Sequence, residues 1–263
     1  MRHVCQAAPA AAIVVFRFVP ASAVIRRNCI GIFLFINFAI IRNNRGAVMH
    51  LPFTVDQFYG VFSLYNTSVW PVQYILVALA LAVLVMVLIP RRWSGSVITV
   101  TLGFLWAWMG VGYHLAFFAA INKASYVFAA AFLIEALLFM WYAFGKTRLS
   151  FSITSNLRTW IGMLLILFAL VIYPLISHLA GHDYPTIPTF GLPCPTTIFT
   201  IGILAFANTA LPRALLIIPA LWCIVGSQAA FFLGVPQDLG LIATGLIALV
   251  FMIRPRIGLA GRA

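Results

Sequence analysis

The chain has 263 residues, of which 64% are hydrophobic and 8% charged, with Lys and Arg outnumbering Asp and Glu 16 to 4 and a mean hydropathy of +1.09. So few polar residues cannot coat a water-soluble domain of this size, and the composition selects a lipid-immersed protein. The net charge of +12 is dispersed at the ends of apolar runs rather than gathered in a patch, which argues against a nucleic-acid partner and for charges that orient the chain at lipid headgroups.

Residues 1–48 admit three readings. A signal peptide would use Arg2 and His3, an apolar run from Ala7 to Phe16 and Ala21-Ser22-Ala23 as a cleavage site, with Arg17 and Pro20 badly placed for it. A further span would have to run from Cys29 to Ile41, which is short between Arg27 and Arg42. We favour a third, in which translation starts at Met49 and residues 1–48 are a non-native or disordered leader, because Arg42 and Arg45 otherwise fall on the side nearly free of basic residues.

Residues 49–70 form the next unit. Thr54-Val55-Asp56-Gln57 has the form of a capping box, so a helix begins there. Phe58, Val61, Phe62, Tyr65 and Val69 share one face of it, with Asp56, Gln57, Ser63, Asn66 and Thr67 on the rest. This predicts an amphipathic interfacial helix lying on the membrane, in preference to a lid over the bundle.

Residues 71–263 predict a seven-span transmembrane domain, with spans at 71–89, 96–121, 124–144, 160–180, 195–211, 214–233 and 236–253, each near the length that crosses a hydrocarbon core. Arg91, Arg92, Lys146, Arg148, Arg158, Arg213, Arg254, Arg256 and Arg262 all fall on one side of these spans. The other side has Lys123 with Asp56, Asp183 and Asp238. The positive-inside rule then places the C-terminus in the cytoplasm and the Met49 end outside a cell (inner) membrane. No internal repeat is visible. Cys194 near the outer surface and Cys223 in mid-span are not expected to form a disulfide.

Glu135, in the middle of the third span, is an ionisable group where one is costly, and marks a functional hypothesis. The loop Asn122-Lys123 is so short that the second and third spans are antiparallel neighbours. His114 then lies within roughly 5 Å of the depth of Glu135, within range of a hydrogen bond or ion pair. Such a pair is either a ligand or proton site or a structural clasp between helices, with Tyr113, Trp106, Trp108 and Asn122 as candidate lining residues. The proline-rich stretch 181–197 cannot be a regular helix and predicts a shaped outer loop, with Thr196, Thr197 and Thr200 giving the following helix a polar end that binds an anion or satisfies its own backbone. The candidate ligand-binding residues are thus His114, Glu135, Tyr113, Asn122, Thr196 and Thr197. His178, His182, Asp183 and Cys194 are candidate metal ligands, and His114 and His178 candidate haem ligands, yet none has a zinc or haem spacing. Phosphate loops, nucleotide-binding glycine fingerprints and Ser/His/Asp arrangements are missing, so no catalytic residue is assigned.

Leu51-Pro52-Phe53-Thr54, Gln57-Phe58, Tyr65-Asn66, Trp70-Pro71, Gly112-Tyr113-His114, Phe117-Phe118, Ile121-Asn122 and the run from Pro188 to Thr197 together resemble a bacterial multi-pass membrane family, domain of unknown function 6064. The resemblance runs from about Met49 to the C-terminus, and implies a start at a methionine just before Leu-Pro-Phe-Thr. One departure is Lys123-Ala124, where the resemblance implies proline and alanine. It implies no substrate or cofactor.

The sequence therefore predicts an all-α polytopic transmembrane bundle whose partners are the lipid bilayer and a small-molecule ligand. Three functional readings remain: a small-ligand permease or ligand-binding protein, a membrane-embedded redox subunit holding haem or quinone, and a scaffold with no site. Oligomeric state is not encoded in any motif.

Overall fold

The computed structural model describes residues 51–254; the predicted leader lies outside them, as do Arg256 and Arg262. Among the described residues eight helical elements follow one another: α1 (Val55–Ser68), α2 (Val72–Leu88), α3 (Ser94–Ala120), α4 (Ser125–Phe144), α5 (Leu157–Leu179), α6 (Pro193–Leu204), α7 (Ala214–Phe232) and α8 (Pro236–Ile253). Among the described residues the only β pairing is two isolated bridges. The all-α expectation holds, and the reason is the solvent: in lipid each backbone N–H must find its partner within its own segment.

The predicted capping box opens α1, with Thr54 Oγ1 accepting from Gln57 N–H and Gln57 Oε1 accepting from Thr54 N–H. The apolar face of α1 is buried on the bundle, where Phe58, Val61, Phe62 and Tyr65 meet Tyr113 and Phe118. The helix is bent by 85° from α2. Its apolar face thus packs on one end of the helices, against an aromatic cluster that offers the same apolar surface that lipid would.

Among the described residues five helices, α3, α4, α5, α7 and α8, are long and apolar enough to cross a membrane, or six if α1 and α2 form one bent span. The seven-span count is therefore approximate. Its weakest member is the fifth: α6 has 12 residues, about 18 Å at the usual rise, and every residue in it except Cys194 is buried. A helix apolar on all sides belongs in the middle of a bundle. Gly162 of α5 and Gly202 of α6 permit this burial, since a Cβ on Gly162 would sit 2.8 Å from Gly202 O and one on Gly202 would sit 3.2 Å from Gly162 O. After Leu204 the chain turns and pairs with the loop beyond α4, through Ser152 N–H to Phe206 O and Asn208 N–H to Ser150 O. The last carbonyl of α6 is met by buried Arg158, whose Nη2 donates to Leu204 O at 3.2 Å while its guanidinium lies 4.9 Å over the Phe251 ring.

Arg91, Arg92, Lys146, Arg148, Arg158, Arg213 and Arg254 gather at this end of the bundle. The opposite end holds α1, the α3–α4 turn, the proline-rich loop and the start of α8.

Candidate functional site

At the end away from the basic residues, the irregular backbone segments meet. The last turns of α3 widen into a π-helix over Met109–Leu115, which carries Gly110, Gly112, Tyr113 and His114. A second π segment, Phe168–Ile172, interrupts α5 immediately before Tyr173-Pro174. Pro174 has no N–H to return to the preceding turn, and the wider turn accommodates it. The proline pair Pro193 and Pro195 opens α6, and a 3-10 turn, Pro236–Asp238, opens α8. Each break turns a polar side chain inward: Tyr113 and His114, Tyr173, Cys194 and Asp238.

These residues line a cavity of about 230 Å³. Its mouth is rimmed by exposed Leu51, Pro52 and Phe232. Its walls are aromatic, with Phe53, Phe58, Phe62, Phe118 and Phe128, and its inner end is formed by Tyr113, His114, Tyr173, Cys194, Trp222 and Asp238. Beyond that end the His114 ring packs 4.8 Å from Phe132 and 5.2 Å from Trp222.

The polar groups are only partly satisfied. Ser125 Oγ donates to the His114 carbonyl at 2.7 Å, so its oxygen receives the Nδ1 proton of His114 at 3.3 Å. A neutral imidazole in that tautomer leaves Nε2 as an acceptor, and Nε2 has no partner. Trp222 Nε1 is a buried donor whose neighbouring acceptor is the Cys194 sulfur. A Cβ on Gly226 would meet Leu241 Cδ1 at 2.8 Å and Cys194 Sγ and Trp222 Nε1 each at 3.3 Å, so glycine lets α8 and Cys194 pack close against α7. Asp238, 2% exposed, accepts a 2.6 Å hydrogen bond from the Tyr173 hydroxyl and lies beside the Cys194 thiol. The neighbouring Gln237 has its Oε1 buried and unpaired. At the rim Tyr59 donates to Gly234 O, and burial, then the Asp238 charge, push its phenol up to about 12.

Of the six residues expected at a site, Tyr113, His114 and Asn122 border this cavity. Glu135 does not. It is fully buried in mid-span of α4, both carboxyl oxygens lack a hydrogen-bond partner, and it does not bond to His114, whose ring is taken up by Ser125 and the aromatic cluster. Thr196 serves the proline-rich loop, its hydroxyl accepting from Gly191 N–H, while Thr197 is buried with its hydroxyl unpaired. Pro193 and Pro195 remove two N–H groups from the start of α6, so little is left there for an anion. Trp106 donates to Thr200 and Trp108 to Tyr65. The four candidate metal ligands separate: His178 hydrogen-bonds Asp183 on the surface, His182 stacks on Tyr59, and Cys194 belongs to the cavity. Among the described residues no three His, Cys, Asp or Glu side chains converge as a metal site, and Cys194 and Cys223 are both free thiols.

Sequence reasoning missed Tyr173 and Asp238. Asp238 reads as an exposed acid at the mouth of a span, and the one local sign of Tyr173 is a Tyr-Pro step inside an apolar run. No curated protein and no solved structure matches the chain. A family of unknown function, DUF6064, matches residues 55–259, a stretch that contains every helix described above, and the chain belongs to that family.

Proposed function

We propose that this is a small-molecule-binding membrane protein whose ligand occupies the cavity bounded by α1, α3, α6, α7 and the start of α8. The observation that carries the reading is the unspent hydrogen-bonding atom His114 Nε2 at an aromatic-walled cavity, beside the Asp238 carboxyl and the Trp222 indole. Buried polar atoms are normally paired, because leaving one unpaired costs roughly 1–3 kcal/mol. A ligand that meets them recovers that cost, and an apolar pocket with a few converging polar groups is the usual form of a binding site. The packed cluster of His114, Phe132 and Trp222 behind the cavity favours binding at one end over an open passage.

The same reading includes an orientation in a cell (inner) membrane. The basic end faces the cytoplasm by the positive-inside rule, which places the mouth of the cavity outside. A reporter fused to the C-terminus checks this: a cytoplasmic fluorescent protein is expected to glow and an exported phosphatase to stay inactive, and the reverse pattern inverts the topology.

Binding is tested on purified protein in detergent with a panel of compounds sized to the cavity, read by thermal stabilisation. Ala229 lines the cavity, so Ala229→Leu is expected to fill it and abolish stabilisation by compounds that act on the parent chain. If no compound stabilises the parent, or if Ala229→Leu leaves the response intact, the cavity is not the site.

A further inference from the structure

Building on that binding reading, we infer that the ligand is a small organic cation, an ammonium group on a compact apolar body. Charge decides the class. The cavity lining contains no Lys or Arg, and Asp238 is its one acidic side chain. Among the described residues the ion pair present joins His178 to Asp183, so Asp238 is a buried carboxyl with no protein cation beside it. A buried carboxylate is expensive unless a counter-charge is supplied, and an ammonium at the inner end of the cavity supplies it.

The walls agree with this assignment. Phe53, Phe58, Phe62, Phe118 and Phe128 present ring faces and edges around the space, with Trp222 at its inner end. The π faces of such rings attract an ammonium within about 6 Å, most strongly for tryptophan. His114 Nε2 is an acceptor in the tautomer that Ser125 selects, and an ammonium N–H is a donor matched to it. An anion would face Asp238 and the lone pair of His114 with no cation to receive it.

Size follows from volume. A dry cavity of about 150 Å³ takes a benzene ring, and 230 Å³ scales to roughly nine non-hydrogen atoms by the same packing. 2-Phenylethylammonium, 2-phenylethanol and phenylacetate have about this size and differ in charge.

The test titrates these three probes into the purified full chain in neutral detergent, read by tryptophan fluorescence and thermal stabilisation. The expected order is the ammonium tightest, the alcohol at least tenfold weaker and phenylacetate without effect. In Asp238→Asn the ammonium is expected to lose roughly a hundredfold and fall level with the alcohol, while Asp183→Asn, which removes an exposed carboxylate from the same end, keeps the preference. Equal binding of ammonium and alcohol to the parent chain overturns the charge assignment and leaves the binding cavity standing. Tightest binding of phenylacetate also overturns it. Binding of none of the three defeats the cavity reading itself. Should Asp238→Asn not fold, the order on the parent chain still decides, and Trp222→Leu gives a second check: it must weaken the ammonium more than the alcohol.

Discussion

Asn66 is expected to be the residue on which the outer end of the protein depends. It is fully buried on α1. Its Nδ2 donates to Pro185 O and to Ile187 O, both at 2.7 Å, and its Oδ1 accepts from Thr189 Oγ1 at 2.8 Å. Asn66→Ala removes these three hydrogen bonds, each worth about 1 kcal/mol net, and strands two loop carbonyls. The docked state of the proline-rich loop should lose about 3 kcal/mol, a factor of roughly 150 in the population of the undocked loop. The bonds that Gln73 and Tyr184 make to the Asn66 carbonyl survive the substitution, so the loss stays local. Limited chymotrypsin digestion reads it. Phe190 is 8% exposed and is cut before Gly191 only when the loop leaves, whereas Tyr184 precedes Pro185 and resists cleavage throughout. With opening fast relative to cleavage, the rate at Phe190 tracks the open population and should rise about a hundredfold. Asn66→Asp, which turns a carboxylate oxygen toward two carbonyls, should do at least as much. A rate in Asn66→Ala within threefold of the parent chain refutes the reasoning, because it would mean that apolar packing of α1 alone seats the loop.

Arg158→Ala removes both the guanidinium that meets Leu204 O and its packing on Phe251; a loss of about 3 kcal/mol should lower Tm by roughly 5–10 °C, and a fall under 2 °C would show that water caps α6 as well. Tyr173→Phe deletes the 2.6 Å hydrogen bond to Asp238 and should cost about 1–3 kcal/mol, seen as a fall in Tm of a few degrees. Glu135→Gln replaces an unpaired buried carboxyl by a neutral group of the same shape, so Tm should hold or rise; a fall above roughly 5 °C would mean that the carboxyl has a partner.

Much of the fold was legible because lipid simplifies the problem: long apolar runs become helices, and the capping box at Thr54 and the proline at Pro236 mark starts that the structure keeps. The fifth predicted span is shorter than its apolar run, because hydropathy cannot distinguish a helix facing lipid from one buried in protein. α6 is as apolar as its neighbours yet stops at Leu204, where Arg158 and the Phe151–Ala207 bridge take over. The candidate cavity was half legible. His114, Tyr113 and Asn122 stood out as polar residues in an apolar setting and do border the cavity. Asp238 and Tyr173 are 65 positions apart and meet through a 3-10 turn and a π segment. Neither irregularity has a local sequence signal beyond a proline, so their meeting could not be read from spacing.

The distribution of these irregularities argues for a site independently of any one side chain. Helix breaks inside a bilayer are costly, because each frees backbone groups that lipid cannot satisfy, and they are tolerated where protein or a cavity surrounds them. Here the π segment of α3, Tyr173 directly after the π segment of α5, the proline start of α6 and the 3-10 start of α8 all border one space of about 230 Å³. Packing alone gives no reason for four breaks to gather at one place. α1 lines the same space with Phe58 and Phe62, and Asn66 ties that helix to the loop that leads into Cys194. Because Pro188, Leu192 and Cys194 of the loop also line the cavity, a ligand bound there is expected to slow cleavage at Phe190, and a substitution that frees the loop to weaken the ligand in proportion to the fraction of chains left undocked.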